Sequence, residues 1–562
     1  MKKAFCIVLS IVLIFSSFTF LSFGAENDKV EVYHEIKSYT TVPLVVVRGD
    51  GNAITNSEDK EVPTVVNIQK ALDSEDSDGN NVKDSIMNVI KPFLLQGALC
   101  NNWQPYYDAL QKEISDLFSE TLLDGNGDPQ YGTNISGWAR WDNDYSSHTD
   151  KAGDNGVYDY PDEKYEFHYD WRLDPLYSAT LLNEYIENIK KSTGKNKVCV
   201  LANCLGTQVI MAYIAEYGTD SLKGIGMESS TVGGAEFLSK ALSGNFDFDP
   251  EAMKRYLASR SELNLGGYEE LIDASLDFLD DSGVFDDGKV LKPLIYYKLV
   301  KGVTSALALS TAFTYPSVWG TVKPEDYEKA KEYVFGKEGS EKRQQYAGLI
   351  EKIDNYEVTV KERLPELLTE MNNSGNVGIE VNYGFQMIPI CTTDDELSDE
   401  IITVEDQSFG ATCASNLNST LTNDYIQKKI SEGKEKYISP DKKIDASTCV
   451  LPDQTWFLKN CSHYWYPDML REMLITVADC DEGQLTVDDF EYSQFMVYVT
   501  TEVMERNNNS GYLVKMTEEN CNTEAWDTQP EKLNFFQKIA KFFKSLKKLI
   551  TLIFNLIKSS KS

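Results

Sequence analysis

The chain has 562 residues, 88 acidic against 54 basic side chains and a formal charge of −34. That balance excludes nucleic acid as a partner of the main body, which shows no phosphate-neutralising surface. By length the chain holds one elaborated catalytic domain or two to three smaller ones, with a core large enough to need no crosslinks.

Residues 1–25 carry Lys2 and Lys3, an apolar stretch from Ala4 to Leu21 and small residues at Ser22, Gly24 and Ala25. This is the pattern of a secretory signal, so an exported, extracytoplasmic protein is expected. Ten cysteines are present, and Cys6 lies in the signal. An oxidising compartment favours pairing, and an odd remainder leaves one thiol over. If Cys204 is that thiol, the other eight could form four bridges. Cys449 with Cys461 and Cys391 with Cys413 close the shortest loops, and Cys199, on a buried strand, is a candidate to stay reduced.

In chain order, Val42–Val47 reads as a buried strand ending at Arg48-Gly49-Asp50-Gly51-Asn52, and Val82–Leu95 has helical apolar spacing. A Gly/Asp-rich loop at 124–128 precedes a strand over Tyr165–Tyr169, which runs into Asp170-Trp171-Arg172-Leu173-Asp174-Pro175. Leu176–Lys191 puts Leu181, Leu182, Tyr185, Ile186 and Ile189 on one face, which predicts an amphipathic helix stopped at Thr193-Gly194. The apolar run Val198–Asn203 follows. Strand, helix and strand in this rhythm imply right-handed crossovers and a mainly parallel sheet flanked by helices.

From residue 229 to 375 the texture turns helical and charge-rich, including Leu294–Ala312 and Pro324–Phe335. An insertion of that length reads as a helical cap over an acyl-chain pocket. Sheet character returns at Val377–Ile390. The expected organisation is therefore a signal at 1–25, a core at 26–228, a cap at 229–375, the rest of the core at 376–530 and a separate tail at 531–562. In that tail, Phe535, Phe536, Ile539, Phe542, Phe543, Leu546, Leu549, Ile550, Ile553, Leu556 and Ile557 recur every three to four positions. Eight lysines and no carboxylate lie between Lys532 and Ser562. A cationic amphipathic helix of this kind is expected to bind a membrane surface, with docking on the acidic body as the alternative.

Chemistry is concentrated at Lys197–Gly206, where an apolar strand breaks into a turn with Cys204 at its tip and leads into a helix. Small Ala202 and Gly206 bracket the tip, as in the G-x-S-x-G nucleophile elbow, with a thiol in place of the hydroxyl. A thiol at the start of a helix, beside an imidazole, is favoured as thiolate. Of the four histidines, His34, His148, His168 and His463, only His463 follows Cys204. The chain order nucleophile, acid, histidine thus leaves His463 as the base. Asp441 is the carboxylate expected to orient it, with Asp445 close behind and Asp394, Asp395 and Asp453 as weaker options. The oxyanion donors expected are the backbone N–H groups of Leu205 and of Asp50, in the loop after the first strand. No cofactor is required. Asp124-x-Asn126-x-Asp128 and the segment 479–483 leave the calcium-loop pattern incomplete, so no metal is expected.

Three segments resemble the lecithin:cholesterol acyltransferase family of α/β-hydrolases. Residues 45–52 (Val-Val-Val-Arg-Gly-Asp-Gly-Asn) are similar to its early oxyanion loop, 169–175 (Tyr-Asp-Trp-Arg-Leu-Asp-Pro) to its Tyr-Asp-Trp-Arg motif, and 193–206 to its nucleophile region. Asp441-Lys-Lys-Ile resembles its acid loop, and His463 takes the place of its histidine. The resemblance implies an α/β-hydrolase fold with an inserted helical cap. It further implies a lipase- or acyltransferase-like enzyme acting on lipid-like acyl esters or thioesters.

Two departures stand out: Asn203-Cys-Leu-Gly-Thr207 replaces the family's His-Ser-Met-Gly-Gly, and Arg48-Gly49 replaces Pro-Gly. Because a thiolate leaves more readily than an alkoxide, Cys204 suits thioesters or acyl transfer better than simple ester cleavage. The rival reading is a catalytically silent α/β-hydrolase scaffold that serves as a binding or surface protein.

Overall fold

The computed structural model describes residues 38–49, 53–58, 60–62, 64, 88–89, 92, 96–97, 100–135, 156–160, 164–245, 298, 301–302, 305–306, 308–387, 397–463, 468–481, 485–488, 492–500 and 511–521. The signal segment, the cationic tail, most of Val82–Leu95 and much of Leu294–Ala312 lie outside these residues.

Eight strands form one sheet: β1 (Leu44–Val47), β2 (Tyr165–Phe167), β3 (Val198–Asn203), β4 (Leu222–Glu228), β5 (Asn376–Tyr383), β6 (Thr455–Lys459), β7 (Phe495–Thr500) and β8 (Gly511–Lys515). Their order across the sheet is β8-β7-β6-β5-β4-β3-β1-β2. Every pairing is parallel except β7 with β8 at one edge. The protein is therefore an α/β fold with a mainly parallel sheet. Parallel strands are covered on both faces, so they read as continuous apolar runs. Leu44, Val45 and Val47 of β1 and Val198, Cys199 and Val200 of β3 are fully buried. Each such aliphatic side chain contributes about 1.5–3 kcal/mol by leaving water.

Two helices sit on one face beside the central strands, α1 (Pro175–Thr193) and α2 (Gly206–Tyr217). α1 begins where Asp174 accepts from the Leu176 N–H at 3.0 Å and ends at Gly194, whose φ of 71° is the left-handed stop. Leu182, Tyr185, Ile186 and Ile189 are buried and Leu181 packs partly against them, so the 3.6-residue stripe faces the sheet as its spacing predicts. Between β4 and β5 come α3 (Glu236–Ser243), α4 (Pro324–Phe335) and α5 (Leu364–Ser374), among shorter helices. α3 packs on α4, and α5 rests on α2 and β5. On the opposite face α6 (Asp468–Ala478) covers β3, β4 and β5 and carries a second core of Leu470, Met473, Leu474 and Val477.

None of the eight described cysteines is in a disulfide. Cys449 packs in the main core and Cys461 in the core under α6, so the two do not share one environment. Cys391 lies outside the described residues. Cys199 is buried, its Sγ turned to the Ala478 carbonyl at 3.5 Å and Asp479 Oδ1 at 3.7 Å, and burial pushes its thiol well above the ordinary range.

Candidate active site

The carboxyl ends of parallel strands open onto a crevice where loops can converge. At the end of β3 the chain turns sharply into α2, and Cys204 at the tip adopts φ 48°. A non-glycine residue in the left-handed region costs about 1–3 kcal/mol and persists only where surrounding bonds hold it. Those bonds are present: the Cys204 N–H donates to the Glu228 carbonyl at 3.1 Å. Its own carbonyl accepts from the hydroxyls of Thr207 at 2.6 Å and Thr231 at 3.0 Å. Gly206 allows the tight approach, because a Cβ there would stand 2.1 Å from the Val47 carbonyl oxygen.

His463 reaches this tip from the loop after β6. Its Nε2 lies 3.2 Å from Cys204 Sγ, and its Nδ1 lies 2.8 Å from Asp399 Oδ2. The His463 N–H also donates to the Asp399 carbonyl at 2.7 Å. Asp399 follows the short strand Leu397–Ser398 beyond β5, and its second oxygen accepts from the N–H groups of Ile401 at 3.0 Å and Ile402 at 2.8 Å. Asp399 is fully buried, His463 nearly so, and Cys204 is partly exposed. Burial opposes charge on the imidazole, but the Asp399 carboxylate and Cys204 more than offset it and hold the ring well above its ordinary value. A thiol within hydrogen-bond reach of an imidazole that a carboxylate orients is the arrangement a nucleophilic cysteine requires.

The carboxylate on His463 is thus that of Asp399 and not of Asp441, which corrects the expectation from sequence. Asp441 is buried elsewhere. It accepts from the Ser439 hydroxyl at 2.6 Å and the Tyr383 hydroxyl at 3.3 Å and faces Lys459 Nζ at 3.7 Å. Asp445 is engaged by Tyr425 at 2.8 Å and Lys429 at 3.0 Å. Asp453 accepts from Tyr437 at 2.7 Å. Asp394 and Asp395 lie outside the described residues. In sequence Asp399 carries only an Asp-x-Ile-Ile turn after Leu397–Ser398, whose N–H groups donate to its carboxylate, and Asp441 and Asp445 accept from their own turns in the same way.

Leu205 follows Cys204 in the first turn of α2, where no helix carbonyl is available to its N–H. Gly49 lies against it: a Cβ on Gly49 would be 2.4 Å from Cys204 Cβ and 2.6 Å from Leu205 N. Asp50 lies outside the described residues. Beside the elbow, Val46, Arg48, Tyr160, Asn203, Glu228 and Arg471 are among the residues that line a cleft. Under the turn, Glu228 and Glu380 face each other in register on β4 and β5, both buried. Burial raises both carboxyls, Glu228 to about 7, although Arg471, His463 and Arg48 pull it down.

Among the described residues no cluster of three or more His, Cys, Asp or Glu could hold a metal ion, and no helix is long and apolar enough to cross a membrane. The loop at 124–128 is closed by itself: Asp124 accepts from the Asn126 and Asp128 N–H groups at 2.8 and 3.0 Å, and Asp128 pairs with Lys352 at 2.7 Å.

No protein-family model matches the chain, and no curated protein matches it significantly. Among solved structures, a chain of the crystal structure of the Tle4-Tli4 complex is similar to it over 61% of this chain and 75% of its own length, at 11% identity and a TM-score of 0.23. An overlap that loose has no bearing on activity, and the fold is read from the sheet order and the elbow.

Proposed function

We propose that the chain is an acyl-transfer enzyme, a hydrolase or acyltransferase, with Cys204 as its nucleophile. The observation that carries this reading is the imidazole of His463, 3.2 Å from Cys204 Sγ on one side and 2.8 Å from Asp399 on the other. The sulfur attacks a substrate carbonyl carbon and forms a tetrahedral adduct. The N–H groups of Leu205 and Asp50 hold its oxyanion. His463 then gives its proton to the leaving group, and the acyl chain remains as a thioester on Cys204. Water or an alcohol, deprotonated by His463, releases it. Asp399 keeps the ring in the working tautomer and stabilises its charged form. Because an expelled thiolate competes with an expelled alkoxide, thioesters and activated acyl groups are the favoured donors, and no cofactor takes part.

The substrate class is lipid-like acyl esters or thioesters. Support comes from the Tyr169–Pro175 motif and its companions, which resemble those of an acyltransferase family. The apolar and cationic faces of residues 531–562 suit attachment at an anionic membrane surface, and residues 1–25 suit export. In this reading the helices inserted between β4 and β5 serve as the cap over the acyl chain.

The test uses the mature chain and two variants. Iodoacetamide should alkylate Cys204 in the parent, and His463→Ala should slow it strongly. A catalytically silent scaffold would show no dependence on His463. On a panel of lipid esters and thioesters, the parent should prefer thioesters and Cys204→Ser should lose that preference. No turnover of any acyl substrate, with histidine-independent alkylation, would overturn the reading.

A further inference from the structure

The peptide group joining Arg48 to Gly49 is bonded at both ends by side chains. Its oxygen, the Arg48 carbonyl, accepts from the Tyr169 hydroxyl at 2.8 Å. Its N–H, that of Gly49, donates to Asn203 Oδ1 at 3.0 Å. A peptide is planar, so two bonds to opposite edges fix its orientation and oppose a flip. The plane they fix lies on the nucleophile, since only the missing side chain of Gly49 keeps its Cα clear of Cys204 Cβ and Leu205 N.

Each anchor is itself held. Asn203 is the last residue of β3, immediately before Cys204. Tyr169 is buried two residues past β2 and stacks on Phe167, with ring centroids 5.5 Å apart and planes 12° apart. The residues that follow it are locked by Arg172, whose buried guanidinium bonds Asp170 at 2.6 and 2.9 Å and the Thr121 carbonyl at 2.7 Å. The Gly49 N–H is thereby already committed to Asn203 and is not a donor to substrate.

We propose that Asn203 and Tyr169 are positioning residues, which hold the Arg48–Gly49 peptide over the Leu205 N–H so that a substrate carbonyl oxygen meets that donor in one fixed geometry. The inference rests on the reading of Cys204 as nucleophile. It also accounts for an amide at position 203: Asn203 supplies an acceptor for Gly49 without placing a carboxylate beside the sulfur.

Two probes separate this role from general damage. A trifluoromethyl ketone adds reversibly to Cys204: the S–C bond forms, the thiol proton moves to His463, and the carbonyl π pair becomes an oxyanion that needs the Leu205 donor. Iodoacetamide consumes the same sulfur by displacing iodide and makes no oxyanion. In Tyr169→Phe and Asn203→Leu, ketone affinity should fall at least about 10-fold more than the alkylation rate, against about 10²- to 10³-fold for loss of an oxyanion donor itself. Asn203→Asp, which keeps the acceptor, should restore the ratio of the two toward that of the parent. Because both bonds act on one peptide plane, losses in the double variant should be less than additive. Ketone affinity unchanged in both single variants, or falling only in step with alkylation, would overturn the proposal. Alkylation of the parent that ignores His463 would instead overturn the acyl-transfer reading, a separate outcome of the same assay.

Discussion

Asp399 and His463 are tied to each other twice, by a side-chain bond of 2.8 Å at Nδ1 and by a main-chain bond of 2.7 Å from the His463 N–H to the Asp399 carbonyl. Two bonds fix both the tilt of the ring and the height of its loop. The ring's other nitrogen is thereby aimed at Cys204.

Replacing Asp399 by Asn keeps the loop bond but removes the charge that stabilises the imidazolium. Cys204 alkylation and acyl turnover should fall by about 10²- to 10⁴-fold. Asp441→Asn should leave both nearly unchanged, because its partners are Ser439, Tyr383 and Lys459. Parallel alkylation rates of the two variants check the assignment.

A methyl group on Gly206 would meet the Val47 carbonyl oxygen, 2.1 Å from the position its Cβ must take. Backbone cannot yield as a flexible side chain would, so β1 and α2 must separate. Gly206→Ala should lower stability by about 1–3 kcal/mol, read from urea denaturation midpoints, and should slow Cys204 alkylation as the elbow shifts.

Arg172 and Asp170 form an ion pair whose side chains are 0% and 9% exposed. Removing one partner leaves the other charge buried and uncompensated. Asp170→Asn should therefore cost about 3–5 kcal/mol in denaturant unfolding.

The Glu228–Glu380 pair gives stability a pH dependence of known sign. Burial raises the folded Glu228 carboxyl from 4.5 to about 7. Between those values the folded protein keeps a proton that the unfolded chain has released, so this group's contribution is full below 4.5 and is lost as pH rises toward 7. Glu228→Gln should flatten that decline. Urea midpoints of parent and variant at about pH 5 and about pH 8 should converge on the acid side and diverge on the alkaline side, in favour of the variant.

Much of the architecture was legible from periodicity. Val42–Val47 and Tyr165–Tyr169 mark β1 and β2 to within two residues, Pro324–Phe335 marks α4 at both ends, and the Asp174 cap and Gly194 stop bound α1 within two residues of the expected span. These features are local: apolar runs, helical spacing, caps and turns act over a few residues and leave their pattern in the chain. The elbow at Cys204 was legible for the same reason.

The acid was not. Asp399, Asp441 and Asp445 are all buried aspartates between β5 and the histidine loop, and each caps or bonds its own turn. Nothing local separates them. Which one meets His463 is settled by how the loop after Leu397–Ser398 and the loop after β6 are carried to the same end of the sheet by the parallel pairing of β5 with β6. The amino-acid order alone determined a parallel α/β chain with a cysteine at a sharp turn and one downstream histidine. Only tertiary packing decided the carboxylate that completes the set and the two side chains that lock the Arg48–Gly49 peptide. The reason is physical: a hydrogen bond between groups 64 or 154 residues apart depends on strand register and burial, which no short stretch of sequence contains.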